Sequence, residues 1–494
     1  MPRPRLPPLV VAAALASCDT NGSNPTATSP LVDLYANDPA LSYDLVHDAV
    51  VLAYDDEAGA FGADTDTGKL LPLAAPSRAG ISTSADHGKT WTRVGPIPPV
   101  GAGCGDARCA VAVGAGGALA PFESAGSVVY VGLGYTDPTL AAPDALVSSL
   151  STDSGATWSP ARIAGWTPGR PPGPPSLARL GHGSVVAYTD TAQGELFLLL
   201  AASEPPAFEP PYAVPIDNDD VGVAKANPVL RLASSTLGYV AYMLPRDDQG
   251  STFDLRVALL FRTLTPEGYT PWQGVLAFAL DGVTIDATRP GALGRTWRDD
   301  APIDLSLGMG PHVYLTYRQL SSRTGSSEVF LVDCDASFAP NCDVEADGTN
   351  SLGWNVHALD DIAASTPFTG GKYRPRVSAD PYSDALAVSW MQETAPGSAQ
   401  VTLGGMSSID QLTFGPEVDL RAGGNGGPWT PCPTASLVDA TNHSYGSHDA
   451  LVLLPYIGGQ DAEPVAVGAH VDSSGGCDEL GELTFDQHVA ASAW

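Results

Sequence analysis

The sequence predicts an all-β protein, a seven-bladed β-propeller made of four-stranded antiparallel blades. A proline, an alternating apolar stretch and an aromatic residue that closes a second apolar strand recur seven times. The prolines lie 53 to 82 residues apart, which accommodates one blade per repeat with loops of variable length. The composition agrees, because 53 Gly and 44 Pro punctuate a chain in which 44% of residues are hydrophobic. The prolines are Pro39, Pro121, Pro175, Pro228, Pro302, Pro375 and Pro433.

Each repeat is typical of two antiparallel strands, and its proline is expected to begin the innermost strand. Proline lacks a backbone donor, so it suits an edge or the first position of a strand. The first two segments are PALSYDLVHDAVVLAY and PFESAGSVVYVGLGY, and the seventh is PTASLVDATNHSYGSHDALVLLPY. Because blades bury their faces against each other, residues 31–494 are predicted to form a single domain. Residues 31–37 are expected to pair with the outer edge of the last blade and close the ring.

The N-terminal segment, residues 1–18, has the pattern of a secretory signal. Arg3 and Arg5 precede a short apolar run, and Leu15-Ala16-Ser17-Cys18 resembles a bacterial lipobox. That resemblance implies that Cys18 becomes a lipidated mature N-terminus, with residues 19–30 as a flexible tether. An ordinary cleavage site before a cysteine is the alternative. The expected location is a membrane-anchored bacterial lipoprotein, periplasmic or on the cell surface, whose first partner is the membrane.

Six cysteines remain after Cys18, and an even number in an exported chain favours disulfides. Two pairs are close in sequence, and Cys432 and Cys477 are left for a third bridge, although fifteen connectivities remain open. A metal site is the competing interpretation, but CxxC spacing is missing. The close pairs are Cys104 with Cys109 and Cys334 with Cys342.

The formal net charge is −31, from 24 basic and 55 acidic residues. A field of this sign repels nucleic acid and anionic lipid surfaces, so nucleic acid is excluded as a partner. The same charge favours solubility and loosely held cations.

Two consecutive repeats share the motif S-x-D-x-G-x-T-W, as SADHGKTW (84–91) and STDSGATW (151–158). The aspartate can accept backbone amides of its own turn, the glycine can take positive φ, and the tryptophan can pack between blades. TPEGYTPW (265–272) and SSIDQLTF (407–414) are weaker copies, and the Cys334 to Cys342 loop takes the corresponding place in the fifth repeat. The motif residues are Asp86, Gly88, Trp91, Asp153, Gly155 and Trp158.

This motif resembles the Asp box, or BNR repeat, of sialidases and other propeller families. The resemblance implies a structural turn on the face opposite the ligand site, and it raises a six-bladed sialidase-like propeller as the alternative fold. A sialidase uses three convergent arginines, a tyrosine nucleophile with a glutamate partner, and an aspartate. Arg179, Arg231, Arg289, Arg374 and Arg376 are available, but in the sequence they form no recognisable triad.

The loops after the second strands are expected to share one rim with the residues that precede each proline. Five of the seven repeats place carboxylates there, which would oppose an anionic sugar. Paired carboxylates could instead hydrolyse a neutral glycan, or they could simply be solvated. The rim candidates are Asp55, Asp56, Asp137, Asp190, Asp247, Arg318, Tyr373, Arg374 and Glu393.

No cofactor is assigned with certainty, and calcium is the one candidate. DVEADGTN (343–350) resembles the first half of a calcium loop through Asp343, Glu345 and Asp347, but position twelve is Trp354 rather than an acid. The sequence therefore favours a ligand- or glycan-binding or scaffold module at the bacterial envelope, whose partner is a glycan or an envelope protein. A glycoside hydrolase, sialidase-like or cleaving a neutral glycan with paired carboxylates, is the alternative.

Overall fold

A computed structural model gives the architecture of most of the chain. It describes residues 33–34, 36–56, 61–63, 70–72, 78–98, 112–121, 127–135, 145–165, 168–180, 183–202, 206–217, 219, 222–247, 251–285, 302–310, 312–322, 324–336, 342–344, 351–398, 400–420, 450–454, 465–472 and 488–493. Only the backbone is described at 33–34, 36–38, 55–56, 61–63, 70–72, 78, 112–117, 119–121, 135, 180, 343–344, 351–352, 450, 453, 469–472 and 488–493.

Seven large β-sheets form a ring among the described residues, six with four strands and one with five. The predicted β-propeller is therefore confirmed. The six four-stranded sheets correspond to the six-bladed alternative, and the five-stranded sheet is a further member of the same ring. We number the sheets as blades 1 to 7 along the chain.

The strands of each blade are given from the innermost to the outermost. Blade 1 contains Ala36–Asp44, Ala49–Asp56, Arg78–Ser84 and Thr92–Pro96. Blade 2 contains Ala112–Pro121, Val128–Tyr135, Ala145–Ser151 and Arg162–Gly165. Blade 3 contains Ser176–Leu180, Gly183–Thr189, Leu196–Ala201 and Tyr212–Ala213. Blade 4 contains Ala226–Ser234, Leu237–Pro245, Thr252–Phe261, Gln273–Thr284 and, parallel to the last, Ile216–Asp217.

The remaining three blades follow the same order. Blade 5 contains Ile303–Leu307, His312–Leu320, Ser327–Asp335 and Asn355–Ala358. Blade 6 contains Lys372–Ala379, Leu386–Glu393, Val401–Ser408 and Val418–Asp419. Blade 7 contains Ala450–Leu453, Ala466–Asp472, His488–Ala493 and Asp33–Leu34. Three small hairpins and one short helix complete the described elements: Phe61–Ala63 with Leu70–Pro72, Leu264–Thr265 with Gly268–Tyr269, Asp343–Val344 with Ser351–Leu352, and Leu359–Ile362.

The hydrophobic core is divided into clusters that lie between neighbouring blades. Val51 and Ile81 of blade 1 pack with Val128 of blade 2, and each later pair of blades has a cluster of its own. Blade 7 packs against blade 6 and, through Leu454 and Val467, against blade 1. The core thus runs around the whole ring, because each blade has two apolar faces to bury.

The N-terminal strand closes the ring as the sequence predicted. Asp33 pairs with Val489 and Leu34 with His488, in antiparallel register, at the outer edge of blade 7. The last blade is therefore assembled from both ends of the described chain, and this pairing covers an edge that would otherwise be open.

Most of the repeated prolines lie where they were expected. Pro39, Pro228 and Pro375 sit at register shifts near the start of innermost strands, and Pro175 and Pro302 directly precede such strands. A β-bulge leaves one residue of the strand unpaired, so proline, which has no N–H donor, is tolerated there.

In two repeats, the structure places the strands differently from the prediction. Pro121 ends the innermost strand of blade 2 rather than beginning it, because residues 112–120 already pair with the second strand. In blade 7, Ala450–Leu453 is the innermost described strand and not the second, since Ala466–Asp472 and His488–Ala493 follow it outward. Pro433 lies outside the described residues.

The aspartates of the two S-x-D-x-G-x-T-W motifs organise their own turns. Asp153 accepts the Thr157 N–H at 2.7 Å and hydroxyls of Thr157 and Ser151 at 2.7 and 2.9 Å, and Asp86 is bound in the same way by Thr90 and Ser84. Gly88 and Gly155 have φ of 85° and 84°. The indole of Trp158 donates to Gly155 O at 2.9 Å and packs on the cluster between blades 1 and 2, whereas Trp91 packs between blades 7 and 1.

The Cys334–Cys342 disulfide closes the corresponding turn of blade 5, with 5.6 Å between the Cα atoms. Cys18, Cys104, Cys109, Cys432 and Cys477 lie outside the described residues. Within the described part of the chain, no helix is long and apolar enough to cross a membrane.

Candidate ligand site at the inner mouth

The innermost strands begin at one edge of the ring, which we call the upper edge, and turn into the second strands at the lower edge. Their inward sides carry backbone groups that have no further strand to pair with. Three polar side chains accept such N–H groups from the next blade. Ser176 Oγ accepts the Leu230 N–H at 2.9 Å, Asp304 Oδ2 accepts that of Val377 at 3.0 Å, and Ser306 Oγ accepts that of Ala379 at 2.9 Å.

Two residues at the upper edge have strained backbones. Asn227 and Arg374 each precede a proline at a register shift, and their φ values are +48° and +49°. Asparagine tolerates this region, but arginine rarely adopts it, and strain of this kind is often found at functional sites. The two residues hold equivalent positions in blades 4 and 6.

An arginine follows each of these positions on the same innermost strand. Arg231 of blade 4 donates to Leu230 O at 2.9 Å and lies 3.5 Å from Asp304 Oδ1 of blade 5. Arg376 of blade 6 donates to Pro375 O at 2.6 Å and is buried. The Arg231 side chain is 36% exposed and that of Asp304 is 11% exposed, so Arg231 is the more accessible member of the pair. We use the term inner mouth for Asn227, Arg231, Asp304, Arg374 and Arg376.

The inner mouth is a cationic region of an acidic protein. Among the described residues of the innermost strands of blades 3 to 6, Asp304 is the one carboxylate, and Arg179 adds a further cation in blade 3. Lys372 is neutralised, because its ammonium contacts the carboxylates of Glu417 and Asp360. Burial raises the pKa of Glu417 above its ordinary value, although the Lys372 charge acts in the opposite direction.

A buried tyrosine–glutamate pair supports the inner mouth from blade 6. The Tyr373 hydroxyl donates to Glu393 Oε1 at 2.7 Å, and Glu393 Oε2 accepts the N–H groups of Gly371 at 2.9 Å and Gly397 at 3.1 Å. A Cβ at Gly370 would come within 2.4 Å of Glu393 O, so this close approach requires glycine. The guanidinium of Arg318 lies 5.1 Å from the centre of the Tyr373 ring.

The structure places the described rim carboxylates inside their own loops. Asp190 is buried and accepts the N–H groups of Ala192, Gln193 and Glu195 at 2.6 to 3.1 Å. Asp247 accepts the N–H and hydroxyl of Ser251 at 2.9 and 2.7 Å. Together with Glu393, these groups serve as loop acceptors, so they do not form a ring of free charge at the rim.

Other predicted site residues are only partly described. Asp55 and Asp56 end the second strand of blade 1, but their side chains are not described, and Asp137 lies outside the described residues. The same is true of Glu345 and Asp347, while Asp343 is described in its backbone alone. Calcium at that loop stays a prediction. In the described part of the chain, no group of three acidic, histidine or cysteine side chains is arranged to hold a metal.

Sequence reasoning missed Asp304 and its approach to Arg231. A signal was present, because Ser176, Asp304 and Ser306 are polar residues in strands that otherwise bury apolar side chains. Their partners on the next blade follow only from the ring geometry. Arg231 and Arg376 were among the arginines that the sequence offered, but the sequence could not show that Asp304 lies between their blades.

Comparisons with known proteins give fold-level similarity. The sequence matches no protein-family model and no curated protein. Among solved structures, it is similar to the GH93 α-L-arabinofuranosidase of Fusarium graminearum in complex with arabinobiose, with 12% identity, a TM-score of 0.43, and coverage of 76% of this chain and 93% of that one. The α-L-arabinanase of Penicillium chrysogenum gives 15% identity, a TM-score of 0.40, and coverage of 95% and 97%. A Hadza microbial sialidase gives 13% identity and a TM-score of 0.40, with coverage of 78% of this chain and 66% of that one. At these levels the similarity concerns the fold and transfers no activity to this chain.

Proposed function

We propose that the protein is an exported, lipid-anchored propeller that binds a carboxylate-bearing glycan at the inner mouth. The proposal rests on the placement of Arg231, Arg374 and Arg376 on the innermost strands of blades 4 and 6, and on the approach of Arg231 to Asp304 of blade 5, which lies between those blades. Guanidinium groups bind carboxylates through paired, charge-assisted hydrogen bonds. A recessed cationic site also concentrates anions locally, even on a protein whose net charge is −31.

A carboxylated sugar suits this site better than the neutral glycan that the sequence raised as one alternative. The described rim carboxylates are engaged by their own loops, so they oppose an anion less than a free acidic ring would. Asn227, at the position equivalent to Arg374, can offer an amide to a sugar hydroxyl. Binding rather than turnover is the main proposal, because the Glu393 carboxylate already accepts three hydrogen bonds within the protein.

A glycan array with matched acidic and neutral sugars tests the binding proposal. Sialyllactose and oligogalacturonate should be retained in preference to lactose and methyl-esterified oligogalacturonate. Arg231→Gln should reduce retention, whereas Arg162→Gln, on the exposed outer strand of blade 2, should not. Equal retention of acidic and neutral sugars would refute the proposed ligand class.

The lipid anchor at Cys18 belongs to the same proposal, together with a periplasmic or cell-surface location. Its support is the basic and apolar segment that precedes Leu15-Ala16-Ser17-Cys18. Metabolic labelling with an alkyne fatty acid should modify the full chain and leave Cys18→Ser unlabelled. Equal labelling of both proteins would place the lipid elsewhere.

A glycoside hydrolase is the second candidate, and the Tyr373–Glu393 pair favours it. A tyrosine whose hydroxyl bonds a glutamate at 2.7 Å, next to arginines, has the components of a nucleophile with a base. Fluorogenic sialosides, arabinosides and glucuronides would detect turnover. Loss of that turnover in Tyr373→Phe, with binding retained, would change the assignment from binder to enzyme.

A further inference from the structure

A lysine and two carboxylates meet beside blade 6, outside the inner mouth. The Lys372 ammonium contacts Glu417 Oε1 and Asp360 Oδ1. Lys372 begins the innermost strand of blade 6, and Glu417 directly precedes its outermost strand. Asp360 belongs to the short helix Leu359–Ile362, which follows blade 5. The ammonium also lies 4.8 Å from the centre of the Trp390 ring, so the three groups come from separate segments and share one site with an aromatic wall.

The charges of this site do not balance where it is buried. The side chains of Lys372 and Glu417 are 4% and 0% exposed, whereas that of Asp360 is 42% exposed. One ammonium therefore faces two carboxylates, and no described N–H or O–H group donates to Glu417 Oε2. A buried carboxylate oxygen without a donor is costly, so the site favours chemistry that leaves Glu417 holding a proton part of the time.

The surroundings of Glu417 also suit it to exchange a proton. Burial raises the pKa of Glu417, the Lys372 charge acts in the opposite direction, and the Asp360 carboxyl raises the pKa further. A carboxyl group in such a position can accept a proton from one neighbour and give it to the other. Both neighbours are in reach, since Lys372 contacts Glu417 and Asp360 together.

The fold itself holds the helix at this site. The Glu417 N–H donates to Ser365 O at 2.9 Å, which ties the segment after the helix to the segment before the outermost strand. Leu359 is fully buried in the cluster between blades 5 and 6. Asp360 is thus fixed next to Lys372 by its neighbours in the chain, and groups held in contact react as if at very high concentration.

We propose that Lys372 and Asp360 condense into an intramolecular isopeptide bond, with Glu417 carrying the proton. The Glu417 carboxylate takes a proton from the Lys372 ammonium, and the neutral Nζ attacks Cγ of Asp360. The Nζ–Cγ bond forms, one Cγ–O bond breaks, and Glu417 returns its proton to the leaving oxygen. Two protons of the ammonium leave with this oxygen as one water molecule, so no oxidant or other co-reactant is required.

The product differs from an ion pair in charge and in permanence. It removes one positive and one negative charge together, and it joins the helix covalently to the innermost strand of blade 6. Asp360 and Lys372 are 12 residues apart, so the bond closes a short loop within one stretch of chain. This modification requires neither the glycan nor the lipid anchor proposed above.

Chymotryptic digestion of the denatured full-length protein tests the bond by mass. Cleavage after aromatic and leucine residues releases 360–368 and 369–373 as separate peptides from an unlinked chain. In the linked chain they should appear as one species, lighter than the sum of the two by one water, with fragmentation placing the link between Asp360 and Lys372. Separate peptides from the wild type would overturn the proposal, and this result does not depend on the folding of any variant.

Three variants distinguish the bond from an ordinary ion pair. Lys372→Arg keeps the charge and should release the two peptides separately. Glu417→Gln keeps the shape of the side chain and should lower the linked fraction at least about tenfold, because an amide cannot carry the proton. Asp361→Asn, a change at the exposed neighbour of Asp360, should link as fully as the wild type.

The remaining outcomes contradict specific parts of the assignment. A joined species that persists in Lys372→Arg, or a link from Lys372 to Glu417, would overturn the pairing with Asp360. Full linkage in Glu417→Gln would overturn the role of Glu417 as the proton carrier.

Discussion

The Asp304 carboxylate of blade 5 accepts the backbone N–H of Val377 in blade 6 at 3.0 Å, while Arg231 of blade 4 approaches its other oxygen at 3.5 Å. One side chain thus connects the innermost strands of three blades. It also sets the charge of the inner mouth, because it is the carboxylate among the arginines there.

Replacing Asp304 should separate its two roles. Asp304→Ala leaves the N–H groups of Leu305 and Val377 without an acceptor, so we expect unfolding free energy to fall by about 1–3 kcal/mol. Ser306→Ala, which removes the single bond to Ala379, should cost less, about 1 kcal/mol. Urea denaturation measures both values. An Asp304→Ala protein as stable as the wild type would show that this bond does not join the blades.

The aspartate turns at the lower edge should contribute to stability and not to binding. Asp153→Ala removes acceptors for Thr157 and Ser151, and we expect a loss of about 1 kcal/mol in unfolding free energy. Asp410→Ala should have a smaller effect, because the Asp410 carboxylate accepts the Ser408 hydroxyl at 3.1 Å, a longer bond than those of Asp153. Thermal melts and glycan binding, measured together, check this. Lost binding in a stable Asp153→Ala protein would assign the turn a functional role.

Asp254 should make stability depend on pH in the acid range. Burial alone would raise its pKa, but hydrogen bonds from Arg246 and the Gly282 N–H, with the Arg256 charge, hold the pKa below the ordinary value of 3.8. A lowered folded pKa stabilises the protein above the unfolded pKa and loses this effect as pH falls through the folded value. The wild type should therefore exceed Asp254→Asn in stability at pH 5 to 7, with the difference closing below about pH 4.

Asp281→Asn is the matched control for this pH series. Asp281 also contacts Arg256, at 2.8 Å, but its side chain is 75% exposed, so its replacement should change little at any pH. A stability difference between the wild type and Asp254→Asn that widens on acidification would have the wrong sign for this account.

The Cys334–Cys342 bridge should stabilise blade 5 by restricting the unfolded chain. The cysteines are eight residues apart, and a loop of this size is worth about 2–3 kcal/mol in the loop-entropy account. The Cys334→Ser, Cys342→Ser double variant should melt at lower temperature than the wild type without reductant. Its melting point should be the less sensitive of the two to dithiothreitol, and equal sensitivity would argue that other disulfides dominate.

The sequence predicted those parts of the fold that depend on local chemistry. The proline and aromatic repeats located strand pairs because a donor-free residue and an alternating apolar pattern constrain a strand directly. The prediction for Pro121 was wrong because this proline stands between two strands that pair with each other, so the local pattern fits a strand on either side of it.

The candidate site depended on contacts between blades, which local patterns do not record. Asp304 and Val377 are 73 residues apart, and no spacing rule relates them. Asp190 looked like a rim ligand because it follows a strand, but its loop folds back so that three N–H groups reach its carboxylate.

Calorimetric titration with oligogalacturonate and its methyl ester tests the carboxylate site most directly, because the two sugars differ in charge and little else. We predict that the acid form binds at least about tenfold more tightly than the ester, which corresponds to one charge-assisted hydrogen bond. The Arg231→Gln, Arg374→Gln double variant should remove most of this difference, and Arg162→Gln should preserve it. Equal affinity for the acid and the ester, or a double variant that still discriminates between them, would contradict a carboxylate site at the inner mouth.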